Sequence, residues 1–143
     1  MTEQRGARVV VLADDLIWQT RLAAVLEALG AQVERARTVA DFEAAIAGAD
    51  FAVVDLTARS YLPVPAIAAA HASGLRVLGV GQHDDVAQRK EALAAGAERV
   101  FAYRKLFEDG PATLGAWLQR RSPARPGAAS APASSPAPTP APE

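Results

Sequence analysis

The sequence predicts an α/β protein in which a parallel sheet is covered by helices on both faces. Short, Val-rich apolar runs of strand length alternate with segments whose apolar residues recur every three or four positions. Glycines stand where these helical segments end, and the next apolar run begins within two residues. The composition, 50% hydrophobic and 22% charged, is typical of a globular chain. Parallel strands joined by helices account for all of these features.

The first unit shows the pattern most clearly. The run from Arg8 to Ala13 is apolar almost without interruption, which is typical of a strand buried on both faces. Asp14 or Asp15 then caps a helix, and Gly30 ends it in the left-handed conformation. Apolar residues on this helix share one face: Trp18, Leu22, Val25, Leu26 and Leu29.

Four further units follow the same pattern. Strands are predicted at 31–36, 50–56, 75–80 and 98–103. Helices are predicted from a Thr38 cap through Ile46, and at 64–72, 85–95 and 111–119. Five strands favour the flavodoxin-like order 2-1-3-4-5, a three-layer sandwich in which strands 1 and 3 lie side by side.

The composition divides the chain into three parts. Residues 1–6 are predicted to be a flexible N-terminus, and residues 7–121 to be the folded domain. Residues 122–143 are rich in Pro and Ala and predict a disordered tail, because nothing in them offsets the entropy lost on ordering. A proline-rich tail can also bind an aromatic-lined groove, although a solvated spacer is the simpler interpretation.

Several classes of function are disfavoured by composition. The absence of cysteine excludes disulfides, thiolate zinc sites and a Cys nucleophile. The lack of a long apolar stretch predicts no membrane span and a cytoplasmic location. A net charge of −1 makes nucleic acid an unexpected partner. No glycine-rich phosphate loop or nucleophile elbow occurs, so we expect neither a small-molecule ligand such as a flavin nor a classical enzyme.

Candidate functional residues follow the predicted strands. Ligands of open parallel sheets bind beyond the carboxyl ends of the strands, at the point where the strand order reverses. Asp14 and Asp15 follow strand 1, and Asp55 ends strand 3. Clustered carboxylates suit a hard divalent ion, so these three predict a Mg²⁺ site. The predicted rim of this cleft comes from strands 4 and 5: Gly81, His83, Tyr103 and Arg104.

Each of these residues also has a simpler interpretation. Asp14 or Asp15 could serve only as a helix cap, and Asp55 only as a turn former, since Asp is common in both roles. His83 could pair with a carboxylate or sense pH, but a lone His at the start of a loop is more often a capping or surface residue.

The quoted residues carry a family resemblance. The segments Val10-Val11-Leu12-Ala13-Asp14-Asp15, Val53-Val54-Asp55 and Ala94-Ala95-Gly96-Ala97 resemble the signature segments of response-regulator receiver domains, over about residues 7–120. The resemblance implies that Asp14 and Asp15 hold Mg²⁺ and that Asp55 accepts a phosphoryl group from a histidine kinase. Aligning the apolar stripe of the first helix instead sets Ala13 at the first acidic position.

Two positions depart from the receiver pattern. Receivers carry a Ser or Thr hydroxyl where this chain has Gly81, and a Lys where it has Tyr103 followed by Arg104. The segment from Val77 to Asp84, together with Ala94-Ala95-Gly96-Ala97, also looks similar to small, stand-alone, atypical receiver-like proteins of bacteria. We therefore predict a degenerate receiver, a pseudo-receiver, that signals by contacting a histidine kinase or another signalling protein. The predicted contact face is formed by helix 4, strand 5 and helix 5, with Phe101, Tyr103 and Phe107.

Two alternatives remain open at this stage. The first is a phosphorylatable single-domain response regulator with Asp55 as the phosphoacceptor. The second, of a different class, is a small metal-dependent hydrolase that uses the same acidic cleft.

Overall fold

The computed structural model describes residues 6–82 and 84–119, which form one five-stranded parallel sheet with helices on both faces. The strands are β1 (Arg8–Leu12), β2 (Gln32–Ala36), β3 (Phe51–Asp55), β4 (Arg76–Gly81) and β5 (Arg99–Ala102). The helices are α1 (Leu16–Ala28), α2 (Val39–Ile46), α3 (Pro63–Ala72), α4 (Val86–Ala95) and α5 (Tyr103–Gln119). The strand order β2-β1-β3-β4-β5 confirms the predicted flavodoxin-like fold.

The central strands are buried on both faces, as their uninterrupted apolar sequences predict. Alternate residues of β1 enter different cores: Val10 and Leu12 pack under α2, α3 and α4, while Val9 and Val11 pack under α1 and α5. β1 and β3 pair directly, with Leu12 opposite Val54. This pairing brings the residues that follow β1 next to Asp55 at the end of β3.

Local capping chemistry sets most helix boundaries. Asp15, Thr38 and Asp85 each accept hydrogen bonds from backbone N–H groups in the first turn of α1, α2 and α4. Gly30 and Gly96, at the ends of α1 and α4, have φ angles of 96° and 126°, a region that side chains with a Cβ rarely adopt. These glycines therefore end their helices as the sequence predicts.

The last helix differs from the prediction. It was expected to begin near Pro111, but α5 begins at Tyr103, which had been assigned to strand 5. The helix is interrupted at Asp109, whose φ and ψ of −149° and 35° are not helical. Because this break lies just before Pro111, proline's missing N–H and its ring are accommodated. In the sequence, a proline that follows such a break looks the same as a proline in the first turn of a new helix.

Some predictions fall outside the described residues. These are the flexible N-terminus over residues 1–5, His83 as a rim residue, and the tail from residue 122 onward. Within the described part of the chain, none of the helices has both the length and the apolar character needed to cross a membrane.

Candidate functional site: the carboxyl edge of the sheet

Asp55 is the central residue of the predicted site, and its side chain is fully buried. Its Oδ1 accepts two hydrogen bonds from Thr57, from the backbone N–H at 2.8 Å and from the hydroxyl at 2.7 Å. Its Oδ2 is buried and has no hydrogen-bond partner. The carboxylate that the sequence predicts as the phosphoacceptor therefore has one oxygen hydrogen-bonded to Thr57 and the other buried without a partner.

Tyr103 encloses the carboxylate from the side of α5. Its ring stacks on Trp18 with 3.7 Å between ring centroids, and its side chain is buried. The Tyr103 hydroxyl also has no partner within hydrogen-bond geometry. At the position where the sequence resemblance leads one to expect a lysine, the chain thus has a bulky, buried aromatic ring.

The pKa values of this pair reflect their shared burial. Burial raises the pKa of Asp55 above its usual range, although the two hydrogen bonds from Thr57, and to a smaller extent the proximity of the Tyr103 hydroxyl, lower this pKa in part. Burial likewise raises the pKa of Tyr103, and the negative charge of Asp55 raises it further. Tyr103 is therefore a neutral phenol that cannot replace the positive charge of a lysine.

Asp14 lies beside Asp55 but is bonded to the loop that follows β3. Its Oδ2 accepts hydrogen bonds from the backbone N–H of Arg59 at 3.0 Å and from Ser60, whose N–H is at 2.9 Å and hydroxyl at 2.8 Å. Partial burial raises the pKa of Asp14, but these hydrogen bonds outweigh it and leave the pKa below its usual value. Asp14 acts here as a clamp on the β3–α3 loop.

Asp15 is turned away from the cleft. Its Oδ1 accepts from the N–H groups of Ile17 at 2.9 Å and Trp18 at 3.2 Å, so it is the N-cap of α1. Of the two interpretations left open for this residue, the structure shows the capping role.

The three carboxylates do not fit a divalent cation as they stand. Each binds a different set of protein groups, and the receiver-like alignment that sets Ala13 at the first acidic position places a buried methyl there. Among residues 6–82 and 84–119, no group of three or more acidic or histidine side chains is placed to hold a metal. The expected Mg²⁺ set of Asp14, Asp15 and Asp55 is not assembled, and we derive no chemistry through a metal.

Gly81, at the end of β4, lies against the same loop. A Cβ at this position would meet the Leu56 side chain at 3.3 Å and Gln88 Oε1 at 3.5 Å. Gln88, from α4, donates from Nε2 to the Leu56 carbonyl oxygen at 2.7 Å. A side chain at this position would therefore pack tightly against Leu56, and a direct hydrogen bond fixes α4 to the loop.

Sequence reasoning missed the residues that close this edge. The hydroxyl of Tyr61 is buried between the carbonyl oxygens of Leu12, at 3.0 Å, and Asp55, at 2.8 Å, and so bridges β1 and β3. The contact with the Thr57 N–H carried a usable signal, because an Asp side chain commonly accepts from the backbone N–H two residues on, in an Asx turn. A loop tyrosine such as Tyr61 carries none.

The remaining predicted rim residues point elsewhere. Arg104 has a side chain that is 75% exposed and lies 3.5 Å from Glu108 one turn along α5. Lys105 is also exposed. The described residues thus provide Asp55, Tyr103 and Gly81 as the site, with Asp14 clamping its loop.

Replacing Asp14 by alanine is expected to loosen the β3–α3 loop and cost about 1 kcal/mol, because water can satisfy part of what is lost. The amides of Arg59 and Ser60 should exchange with solvent deuterium at least several-fold faster. Asp15→Ala is the matched control, since it removes cap hydrogen bonds of similar worth but leaves those two amides protected. Equal deuterium exchange of these two amides in both variants would contradict the conclusion that Asp14 holds the β3–α3 loop in place.

Comparison with solved structures identifies the same architecture. The BeF3-activated DrrB receiver domain is 19% identical, covers 80% of this chain and 99% of that chain, and superposes with a TM-score of 0.71. The receiver domain of NarL from Mycobacterium tuberculosis is 22% identical, covering 82% of this chain and 99% of that one, with a TM-score of 0.68.

A third structure is the CheY-like receiver domain protein from Methanospirillum hungatei, at 22% identity, 76% and 94% coverage and a TM-score of 0.63. No family model and no curated protein matches the chain. At these identities the likeness establishes the receiver fold.

Proposed function

We propose that the protein is a receiver-like signalling module whose phosphorylation site is closed, a pseudo-receiver that acts by binding another protein. The observation that carries the proposal is the enclosure of Asp55, which is fully buried with Oδ1 bonded to Thr57 and Oδ2 without a partner. An incoming phosphoryl donor needs an exposed carboxylate oxygen and positive charge beside it. The described residues supply neither at this position.

The switching elements of a receiver are also replaced. Phosphorylation shifts a structural element between two states by forming contacts that exist in only one of them. Tyr103 is fixed by stacking on Trp18, and Gln88 already ties α4 to the loop after β3. These contacts support a single, constitutive conformation.

The surface around the closed cleft supports a role in protein binding. Leu16 and Ile17 begin α1, Leu62 precedes α3 and Val86 begins α4, and all four side chains are more than half exposed. Because these helices begin at the carboxyl edge of the sheet, the four exposed apolar side chains lie at the same edge as Asp55. Exposed apolar side chains at a functional edge support protein binding there.

The predicted contact face is corrected in one respect. Tyr103 cannot contribute surface because it is buried, and Phe101 is only partly exposed, whereas Phe107 is 55% exposed. The partner, a histidine kinase or another signalling protein, would then meet the carboxyl edge and the exposed start of α5.

The phosphorylatable alternative has one point in its favour. A response regulator from Burkholderia pseudomallei, 21% identical with a TM-score of 0.68, was solved with a phosphorylated aspartic acid and a calcium ion. The hydrolase alternative has less support, since it needs a clustered donor set that the described residues lack.

Incubation with acetyl phosphate and Mg²⁺ separates these functions. We expect intact-mass spectrometry to show no phosphoryl adduct on the wild-type chain, while a phosphorylatable receiver treated in parallel gains one. Mg²⁺ up to millimolar concentration is expected to leave Trp18 fluorescence unchanged. An adduct that Asp55→Asn abolishes would replace this proposal with the phosphorylatable regulator.

A further inference from the structure

An apolar groove of about 330 Å³ runs between α1 and α5. Leu22, Val25 and Leu114 line it with aliphatic side chains. Trp18 and Phe107 line it with aromatic rings whose centroids lie 4.9 Å apart. The groove is therefore a largely apolar channel with an aromatic wall at the end nearer the carboxyl edge.

Small residues and the helix break create this space. Ala24 on α1 and Gly110 on α5 offer at most a methyl group, and Gly110 lies directly after the break at Asp109. A Cβ built on Gly110 would still be 3.9 Å from the Val25 methyl groups. The two helices thus leave a gap that their own side chains do not fill.

Arg21 contacts both rings of the aromatic wall, those of Trp18 and Phe107. The Arg21 guanidinium carbon lies 4.5 Å from the centroid of the Phe107 ring and 5.9 Å from that of Trp18. Contacts of this geometry are favourable and orient both partners. Phe107 remains 55% exposed, so its ring is presented to the groove and to solvent at once.

We propose that the Pro-rich segment 136–142 of this same chain occupies the α1–α5 groove. This segment has proline at every second position and carries no charged side chain. Such sequences favour the extended polyproline II helix, and aromatic-lined grooves bind it because little entropy is lost on ordering. A neutral apolar segment also suits this groove, because Arg21, the one cation among its described lining residues, is already engaged by aromatic rings.

The length of chain beyond α5 permits this contact within one molecule. From Gln119 back to Phe107 the helix spans about 18 Å at its rise of 1.5 Å per residue. Residues 120–135, if extended at 3.1 Å per residue, reach roughly 50 Å. The segment can therefore return along α5 with slack, and the covalent link keeps its effective concentration high.

Paramagnetic relaxation tests the contact in the full-length chain. Because the chain contains no cysteine, Ser135→Cys creates a single site for a nitroxide label. We expect selective broadening of the amide signals of Trp18, Val25 and Phe107, and none for α3 on the opposite face of the sheet. Uniform weak broadening would overturn the proposal. So would broadening of unlabelled ¹⁵N chains by labelled ¹⁴N chains, which would mean that a second copy supplies the segment.

Paired variants of the labelled chain test the contact on the groove and on the Pro-rich segment. Phe107→Ser should reduce the relaxation enhancement at Val25 several-fold, whereas Leu93→Ser, at a 42% exposed site on α4, should leave it unchanged. Pro138→Gly with Pro140→Gly should also reduce it, and Pro123→Gly with Pro126→Gly should not. An enhancement that survives both Phe107→Ser and the 138/140 pair would overturn the assignment of groove and segment.

Discussion

Replacing Glu98 by alanine is expected to lower the free energy of unfolding by about 2–4 kcal/mol, because it removes an acidic partner of a buried arginine. Arg76 begins β4 and is only 5% exposed. Its Nε lies 3.0 and 2.9 Å from the two carboxylate oxygens of Glu98, and one terminal nitrogen lies 2.8 Å from Oε1. The loss should be large because the arginine cannot move to water.

The same carboxylate also serves the aromatic core. Trp117 donates its indole N–H to Glu98 Oε1 at 3.0 Å, and the Arg76 guanidinium carbon lies 5.3 Å from the Phe51 ring and 5.8 Å from the Trp117 ring. Without Glu98 a buried indole donor loses its acceptor. Because the Glu98 side chain is 27% exposed, we expect a smaller loss in the free energy of unfolding than for a fully buried ion pair.

Urea denaturation with Glu108→Ala as the matched control measures this effect. Glu108 pairs with Arg104 at 3.5 Å on the surface, where both side chains are more than two-thirds exposed. Its removal should change stability by less than about 0.5 kcal/mol. Similar losses in the two variants would show that Glu98 is not part of a buried network.

Replacing Asp55 by asparagine is expected to stabilise the protein at neutral pH by roughly 1–2 kcal/mol. Asparagine keeps an oxygen that can accept from Thr57, and it removes a charge from a fully buried position. Most substitutions of buried residues destabilise, so the sign of this effect is diagnostic. It would show that the wild-type chain tolerates an unfavourable buried carboxylate.

The pH dependence follows from the raised pKa of Asp55. Burial makes the folded state hold its proton more tightly than the unfolded state, whose carboxyl has an ordinary pKa of 3.8. The contribution of Asp55 to stability is therefore greatest below about pH 4 and falls as pH rises through the folded pKa. The gain from Asp55→Asn should shrink toward zero in acid.

Thermal or urea unfolding of both proteins between pH 3.5 and 8 tests this prediction. Asp41→Asn is the control, because Asp41 is exposed in the first turn of α2 and its removal should give no such pH-dependent gain. An Asp55→Asn variant less stable than wild type at pH 7 would mean that the carboxylate is favourably solvated or paired, and the site would then be open.

The candidate site was only partly predictable from sequence. Asp55 and Tyr103 could be placed at the carboxyl edge because parallel strands end at one edge and their order follows from chain connectivity. The direction in which each side chain points could not be predicted from the sequence. Asp14 and Asp15 are neighbours in sequence, yet one binds the β3–α3 loop and the other caps α1.

The amino-acid sequence by itself determined the fold, because hydrophobic periodicity, capping residues and left-handed glycines are local signals that act over a few residues. They specified five strands, whose order followed from the connectivity of such a sheet, and they failed at α5, where Pro111 follows an internal break at Asp109. Tertiary structure alone decided that Asp55 is closed. That closure depends on Tyr103, whose ring stacks on Trp18, and on Tyr61, which bonds the backbone carbonyl oxygen of Asp55. The three residues come from distant segments that are brought to this edge only when the sheet assembles. Burial, and with it the pKa of the carboxylate, is a property of this assembly and of no single segment.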